Sequence, residues 1–157
     1  MTKVLAISST GGHWVQLLRL SPAWDGCEVH YATTTGDFRQ RVADLAAARG
    51  QKAPGYHIFT DANRWQKARL VKQMLEVTAI LMKVRPDVVI STGASAGYFA
   101  IRVGRMLGAR TCWVDSIANA EVLSLSGEKV GPHADLWLTQ WPHLAKPGGP
   151  LCKGSVL

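Results

Sequence analysis

Residues Asp87–Ala145 read DVVISTGASAGYFAIRVGRMLGARTCWVDSIANAEVLSLSGEKVGPHADLWLTQWPHLA. Within this run an aliphatic strand, Val88–Ser91, feeds a glycine-rich turn and then a helix, Ser95–Leu107, closed by Gly108. A second strand follows at Thr111–Val114, then a polar turn, then a further strand at Leu136–Gln140. The aliphatic runs alternate little, as strands covered on both faces do. Strands that alternate with helices require right-handed crossovers and a parallel sheet. The same grammar recurs at Val4–Leu20, VLAISSTGGHWVQLLRL, where a strand gives way to Ser9-Thr10-Gly11-Gly12 and a helix from His13. The expected fold class is α/β, a Rossmann-like doubly wound parallel sheet with ligands at the carboxyl ends of its strands.

The units between these two stretches fit that plan. Val15, Leu17 and Leu18 supply the sheet-facing side of the first helix, and Pro22 and Gly26 end the unit. EVHYAT at Glu28–Thr33 is a second strand, and GYHIFT at Gly55–Thr60 a third. Asp37 is placed to cap a helix from Phe38 to Arg49, closed by Gly50. A long helix from about Arg64 to Lys83 carries an apolar stripe of Leu70, Val71, Met74, Val77, Leu81 and Val84, and Pro86 stops it. After the loop Pro147–Pro150, Lys153–Leu157 has the composition to begin one more strand. Residues 1–157 read as a single domain, with no second domain following.

Composition narrows the function classes. Apolar residues are 47% and charged residues 18%, and no repeat or low-complexity tract appears, so disorder, solenoid and fibre readings fall away. The net charge of +7 favours anionic partners, whether phosphorylated ligand, lipid surface or nucleic acid. No recognised nucleic-acid module accompanies that charge, so no nucleic-acid partner is expected. Cys27, Cys112 and Cys152 lie far apart without metal-ligand spacing, so no metal is expected, and Cys112 reads as a buried thiol of the reducing cytoplasm. The longest apolar stretches fall short of the roughly 20 residues that span a bilayer. Membrane contact would then be peripheral or through a partner.

The two glycine turns are the candidate binding elements. In the first, Gly11 and Gly12 permit close backbone approach, Ser9 and Thr10 add hydroxyls, and the helix start at His13 directs free N–H groups toward an anion. His13 can hydrogen-bond a phosphate or accept a proton from a sugar hydroxyl; equally, it is an exposed helix-start residue beside a tight turn. The turn lacks GxGxxG and a P-loop lysine, so neither a dinucleotide nor ATP is expected there, and no cofactor is assigned. In the second turn, Gly93, Ser95 and Gly97 serve either an anion site or helix capping and helix–sheet packing, with Ser95 as the cap. After the fifth strand, Asp115, Ser116 and Glu121 offer carboxylates and a hydroxyl; Asp115 is a base candidate or a strand-end acid bonded to backbone. Arg64, Lys67, Arg69 and Lys72 cluster with Trp65, which suits either an anionic lipid surface or a solvated helix face. Of the six tryptophans, Trp14, Trp24, Trp65 and Trp141 lie near turns and helix ends, as interface markers or as packing.

These residues resemble a family. Ser9-Thr10-Gly11-Gly12-His13 with Leu17-Leu18-Arg19-Leu20, Pro86-Asp87-Val88-Val89-Ile90, the Gly93 loop, Trp113-Val114-Asp115-Ser116, Leu123-Ser124-Leu125-Ser126-Gly127, Ala134-Asp135 and Gln140-Trp141-Pro142 look like the membrane-docking, acceptor-side subunit of two-component glycosyltransferases. The LSLSG, AD and QWP elements are the most specific, and the likeness spans nearly the whole chain. The domain is also similar to the N-terminal half of the MurG type of GT-B glycosyltransferase. The resemblance implies a lipid-linked sugar acceptor held by Gly11, Gly12, His13, Gly93 and Ser95, with His13 as base for its hydroxyl. It implies a catalytic partner subunit that carries the nucleotide-sugar site, and transferase activity only together with that partner. It places Ile58–Lys72 near the membrane, at its cytoplasmic inner face. Asparagine-linked glycosylation members carry an N-terminal transmembrane helix; the sequence here favours the peripheral subunits of capsule and exopolysaccharide assembly. The rival reading of the same turns is a stand-alone enzyme that binds a nucleotide or phosphosugar.

Overall fold

The computed structural model describes residues 1–156. Its strands are β1 (Lys3–Ile7), β2 (Glu28–Thr33), β3 (Gly55–Ile58), β4 (Val88–Ser91), β5 (Arg110–Val114), β6 (Leu136–Thr139) and β7 (Leu151–Cys152). The helices are α1 (Gly12–Arg19), α2 (Arg39–Ala48), α3 (Lys67–Val84), α4 (Ala94–Met106) and α5 (Leu125–Val130). The seven strands form one sheet in the order β3-β2-β1-β4-β5-β6-β7. Each pairing is parallel, as a doubly wound domain requires.

β1 lies near the middle of this sheet and shows why its sequence is a strand. Its side chains alternate between faces, and both faces are covered. Leu5 and Ile7 join one core with Val77, Leu81, Val89, Ile101 and Trp113, beneath α3 and α4. Val4 and Ala6 join the other core with Trp14, Leu17, Tyr31 and Val42, beneath α1 and α2. Gly97 and Gly104 let α4 lie close on the sheet: a Cβ at Gly97 would sit 2.0 Å from Ser91 Oγ, and one at Gly104 2.8 Å from Val89 Cγ2. Far from the ligand end, Asp87 accepts from the Lys3 N–H at 2.8 Å, and Asp135 accepts from the Thr111 N–H at 2.8 Å. That Thr111 N–H, first among several contacts, holds the Asp135 carboxyl below the usual carboxylate range.

Several local expectations are corrected. Asp37 does not cap α2: its own N–H donates to Thr35 Oγ1, and Phe38, stacked on Trp14 at 5.4 Å, occupies the cap position. α3 begins at Lys67, because the side chain of Asn63 accepts from the Trp65 N–H and makes a turn of the preceding residues. On α1, Trp14 and Leu17 face the core while Val15 is exposed. On α3, Gln73 and Ile80 face inward with Val77, Leu81 and Val84, whereas Val71 and Met74 are exposed. The last strand is Leu151–Cys152, earlier than the strand expected to begin in Lys153–Leu157; Gly154, at φ +122°, departs from extended backbone there, and Leu157 lies outside the described residues. Cys112 is half-buried on β5, and burial pushes its thiol up to about 11. Among the described residues no helix is long and apolar enough to cross a membrane.

Candidate functional site

β1 and β4 are neighbours at the point where the strand order reverses. In doubly wound sheets the crevice outside this point is the usual ligand site. Both glycine turns open into it. Gly11 occupies the cap position of α1 at φ +82°, and Gly93 that of α4 at φ +145°, conformations that favour glycine. Neither helix has a side-chain cap, so the first N–H groups of each are free to meet a ligand. Ala94 follows at φ +66°, a strained backbone for a residue with a Cβ.

His13 joins the two turns. Its Nδ1 lies 2.9 Å from the Thr92 carbonyl oxygen, which can only accept, so Nδ1 carries the hydrogen. In the neutral ring Nε2 then presents a lone pair. Thr92 Oγ1 donates in return to the His13 carbonyl at 2.7 Å. The imidazole lies against Gly93, where a Cβ would stand 2.4 Å from the ring. His13 borders a cavity of about 410 Å³ that also takes in Ala94, Ser95, Ser116, Asn119 and Ser124, with Arg64 at its wall.

The remaining candidates divide by position. Ser9 and Thr10 are half-exposed beside the first turn, with Thr10 Oγ1 accepting from Thr34 Oγ1 at 3.4 Å. Ser95 is not the cap: it lies inside α4, and its hydroxyl donates to Gln73 Oε1 at 2.7 Å. Gln73 donates in turn to the Thr60 carbonyl, which ties the loop after β3 to the start of α4. Gly97 faces the sheet, against Ser91 and Trp113, rather than the crevice. Ser116 Oγ accepts from Gln16 Nε2 and from the Ala118 N–H, so its own hydrogen is available to the cavity.

Asp115 is 1% exposed, and both its oxygens are engaged. Oδ1 accepts from Trp113 Nε1 at 3.0 Å and Ser124 Oγ at 2.5 Å. Oδ2 accepts from the Ser124 N–H at 2.9 Å and Asn119 Nδ2 at 3.2 Å. These bonds fasten the loop between β5 and α5. Glu121 is exposed.

The basic residues spread over two surfaces. Arg64 stacks on the exposed Trp65 ring at 4.7 Å. Arg69 donates to the Asp61 carbonyl at 3.0 Å and borders a second, open cleft. Lys67 starts α3 on the exposed side.

No family model matches the chain. The UDP-N-acetylglucosamine transferase subunit ALG14 of Eremothecium gossypii is 27% identical over 166 residues, covering 91% of this chain and 74% of that protein. The Rattus norvegicus ALG14 is 26% identical over 165 residues, covering 90% of this chain and 76% of that protein. Over about nine-tenths of its length the chain is similar to the ALG14 subunits. Among solved structures, MurG of Acinetobacter baumannii superposes with a TM-score of 0.75 at 14% identity, over 100% of this chain and 46% of MurG. A UDP-GlcNAc 2-epimerase from Methanocaldococcus jannaschii gives 0.61 at 16% identity, over 88% of this chain and 39% of the epimerase. The chain thus spans less than half the length of these two structures, and its fold is the Rossmann-like domain of the GT-B type.

At the base of the crevice, Gln140 of the Gln140-Trp141-Pro142 element meets Gln16, a residue to which the sequence assigned no role. Gln16 and Gln140 are each 5% exposed, and Gln140 Nε2 donates to Gln16 Oε1 at 2.6 Å. The available signal was helical spacing: Gln16 follows Gly12 by one turn, and its side chain donates back to the Gly12 carbonyl at 3.3 Å. Trp141, read as an interface marker or as packing, is half-buried and donates to the Ile117 carbonyl at 2.7 Å.

Proposed function

We propose that this chain is the acceptor-side subunit of a two-component glycosyltransferase of lipid-linked oligosaccharide or exopolysaccharide assembly. It holds a polyprenyl-diphosphate sugar and recruits a catalytic partner that holds the nucleotide sugar. The observation that carries this reading is the His13 clamp, which sets an imidazole lone pair between two uncapped helix starts at the switch point. The helix starts suit a diphosphate, and the imidazole suits the hydroxyl of the sugar attached to it.

The chemistry follows from that placement. The acceptor hydroxyl oxygen forms a bond to the anomeric carbon of the donor sugar. The bond from that carbon to the nucleotide phosphate breaks, and the nucleoside diphosphate leaves with the electron pair. His13 Nε2 takes the hydroxyl proton. The donor is left to the partner. The test is reconstitution. Purified chain with nucleotide sugar and lipid acceptor is expected to turn over nothing, and adding the partner is expected to start transfer. Transfer by the chain alone, or tight calorimetric binding of sugar nucleotides to it, would instead favour the stand-alone enzyme.

In this reading the heterodimer works at the inner face of the membrane, and α3 is the contact. A soluble domain normally turns polar residues outward from such a helix. Here Val71, Leu75 and Met82 are exposed in one stripe, at 53%, 61% and 61%. Helical spacing sets Lys72 and Lys83 along one flank of that stripe and Lys67 along the other, with Trp65 at its head. Apolar side chains rimmed by cations suit an anionic lipid surface. Leu75→Asp is expected to weaken binding to phosphatidylglycerol vesicles by about tenfold or more, since it removes a side chain that contributes about 1.5–3 kcal/mol when buried. Co-sedimentation checks this, and equal binding of both proteins would remove α3 as the membrane face.

A further inference from the structure

Gln16 has no part in the reading above, yet every hydrogen-bonding position of its carboxamide is filled. Nε2 donates to Ser116 Oγ at 3.0 Å and to the Gly12 carbonyl at 3.3 Å. Oε1 accepts from the Ile117 N–H at 3.0 Å and from Gln140 Nε2 at 2.6 Å. A glutamine side chain has two hydrogens to give and two lone pairs to fill, so this one is saturated. Its partners come from the start of α1 and from the loops after β5 and β6. Gly12 belongs to the first glycine turn, and Ser116 lines the same cavity as His13. Gln140 is held in turn: Nε2 also donates to the Asp115 carbonyl at 3.0 Å, and Oε1 accepts from the Val156 N–H at 2.9 Å.

We infer that Gln16 is a positioning residue of the acceptor site, whose carboxamide fixes the glycine turn at Gly12 against the crevice wall at Ser116–Ile117, with Gln140 holding Gln16 in register. This rests on the acceptor reading given above. Gln16 touches no ligand itself. It acts through the backbone of Gly12, next to His13 in the first glycine turn, and through the hydroxyl of Ser116, which lines the cavity. Only a planar carboxamide of this length matches the pattern. Glutamate keeps the acceptors and can receive a hydrogen from the Ser116 hydroxyl, but loses the bond to the Gly12 carbonyl. Methionine keeps the length and loses all four bonds.

The test is a calorimetric titration of the full chain with farnesyl diphosphate, which reads the dissociation constant and the number of sites separately. A residue that merely supports folding changes the fraction of competent protein, and so the number of sites. A positioning residue changes the constant. Gln16→Met is expected to weaken binding about tenfold with the number of sites unchanged, since the three bonds to the crevice elements are lost. Gln16→Glu, which loses the Gly12 bond and sets a buried carboxylate beside the diphosphate space, is expected to weaken binding at least as much as Gln16→Met. Gln140→Met, which leaves Gln16 its bonds to Gly12 and Ser116, is expected to fall between Gln16→Met and the wild type, and it carries the test should Gln16→Met not fold. An unchanged constant in these variants, with wild-type binding intact, overturns the positioning role alone. Absence of binding by the wild type overturns the acceptor reading and this inference with it.

Discussion

His13→Ala is expected to lower turnover of the reconstituted pair by about 10²–10⁴-fold, the contribution of a positioned proton acceptor in the transition state. The structural cost is expected to be small. The substitution removes one hydrogen bond, from Nδ1 to the Thr92 carbonyl, and leaves the bond from Thr92 Oγ1 to the residue 13 carbonyl in place. One such bond contributes about 1 kcal/mol net, and in a domain of this size that moves the melting temperature by about 2–4 °C. Large loss of rate with small loss of stability is therefore the signature of a base. His13→Gln is a useful companion, because it keeps a donor for the Thr92 carbonyl while presenting no basic nitrogen. It should melt near the wild type and be as slow as the alanine variant. Turnover within about threefold of the wild type in both variants would remove His13 as the base and leave it as the joint between the two turns.

The fold was legible because its central strands are covered on both faces and therefore read as plain aliphatic runs. Val88–Ser91 and Glu28–Thr33 form as expected, residue for residue. The faces of the helices were less legible. Val71 and Met74 looked like core and are exposed, whereas Gln73, at 1% exposure, is core. Hydropathy ranks a glutamine as surface, and only the tertiary partners, the Thr60 carbonyl and the Ser95 hydroxyl, make its burial tolerable. Gln16 escaped for the same reason. Asp37 and Ser95 have the chemistry of caps but not the place. For Ser95 the reason is that Gly93 takes the cap position with a backbone geometry that favours glycine. Both glycine turns were visible as composition, and their meeting across β1 and β4 followed from the switch-point rule. That the His13 ring lies on Gly93 did not follow, because a contact between residues so far apart in the chain is fixed by sheet order.

Asp115 is where stability and chemistry make opposite predictions. Asp115→Ala leaves the Trp113 indole N–H, the Ser124 N–H and hydroxyl and the Asn119 amide without their acceptor. Unsatisfied buried donors cost about 1–3 kcal/mol each, though some of these reach water once the loop relaxes. A total of about 3 kcal/mol is expected, which lowers the melting temperature by about 6–12 °C. Asp115→Asn should also be unstable, since an NH₂ group must replace one of two oxygens that each accept two hydrogens. The chemical consequence should be minor. With both oxygens engaged by the loop, the carboxylate has no lone pair directed at an acceptor hydroxyl. Folded Asp115→Asn protein, assayed with its partner well below its melting temperature, is expected to retain turnover within about tenfold of the wild type, against about 10²–10⁴-fold for loss of a base. A variant that melts like the wild type yet loses turnover on the larger scale would reverse the assignment. The base would then be Asp115, and the imidazole of His13 would serve to orient the acceptor diphosphate between the two glycine turns.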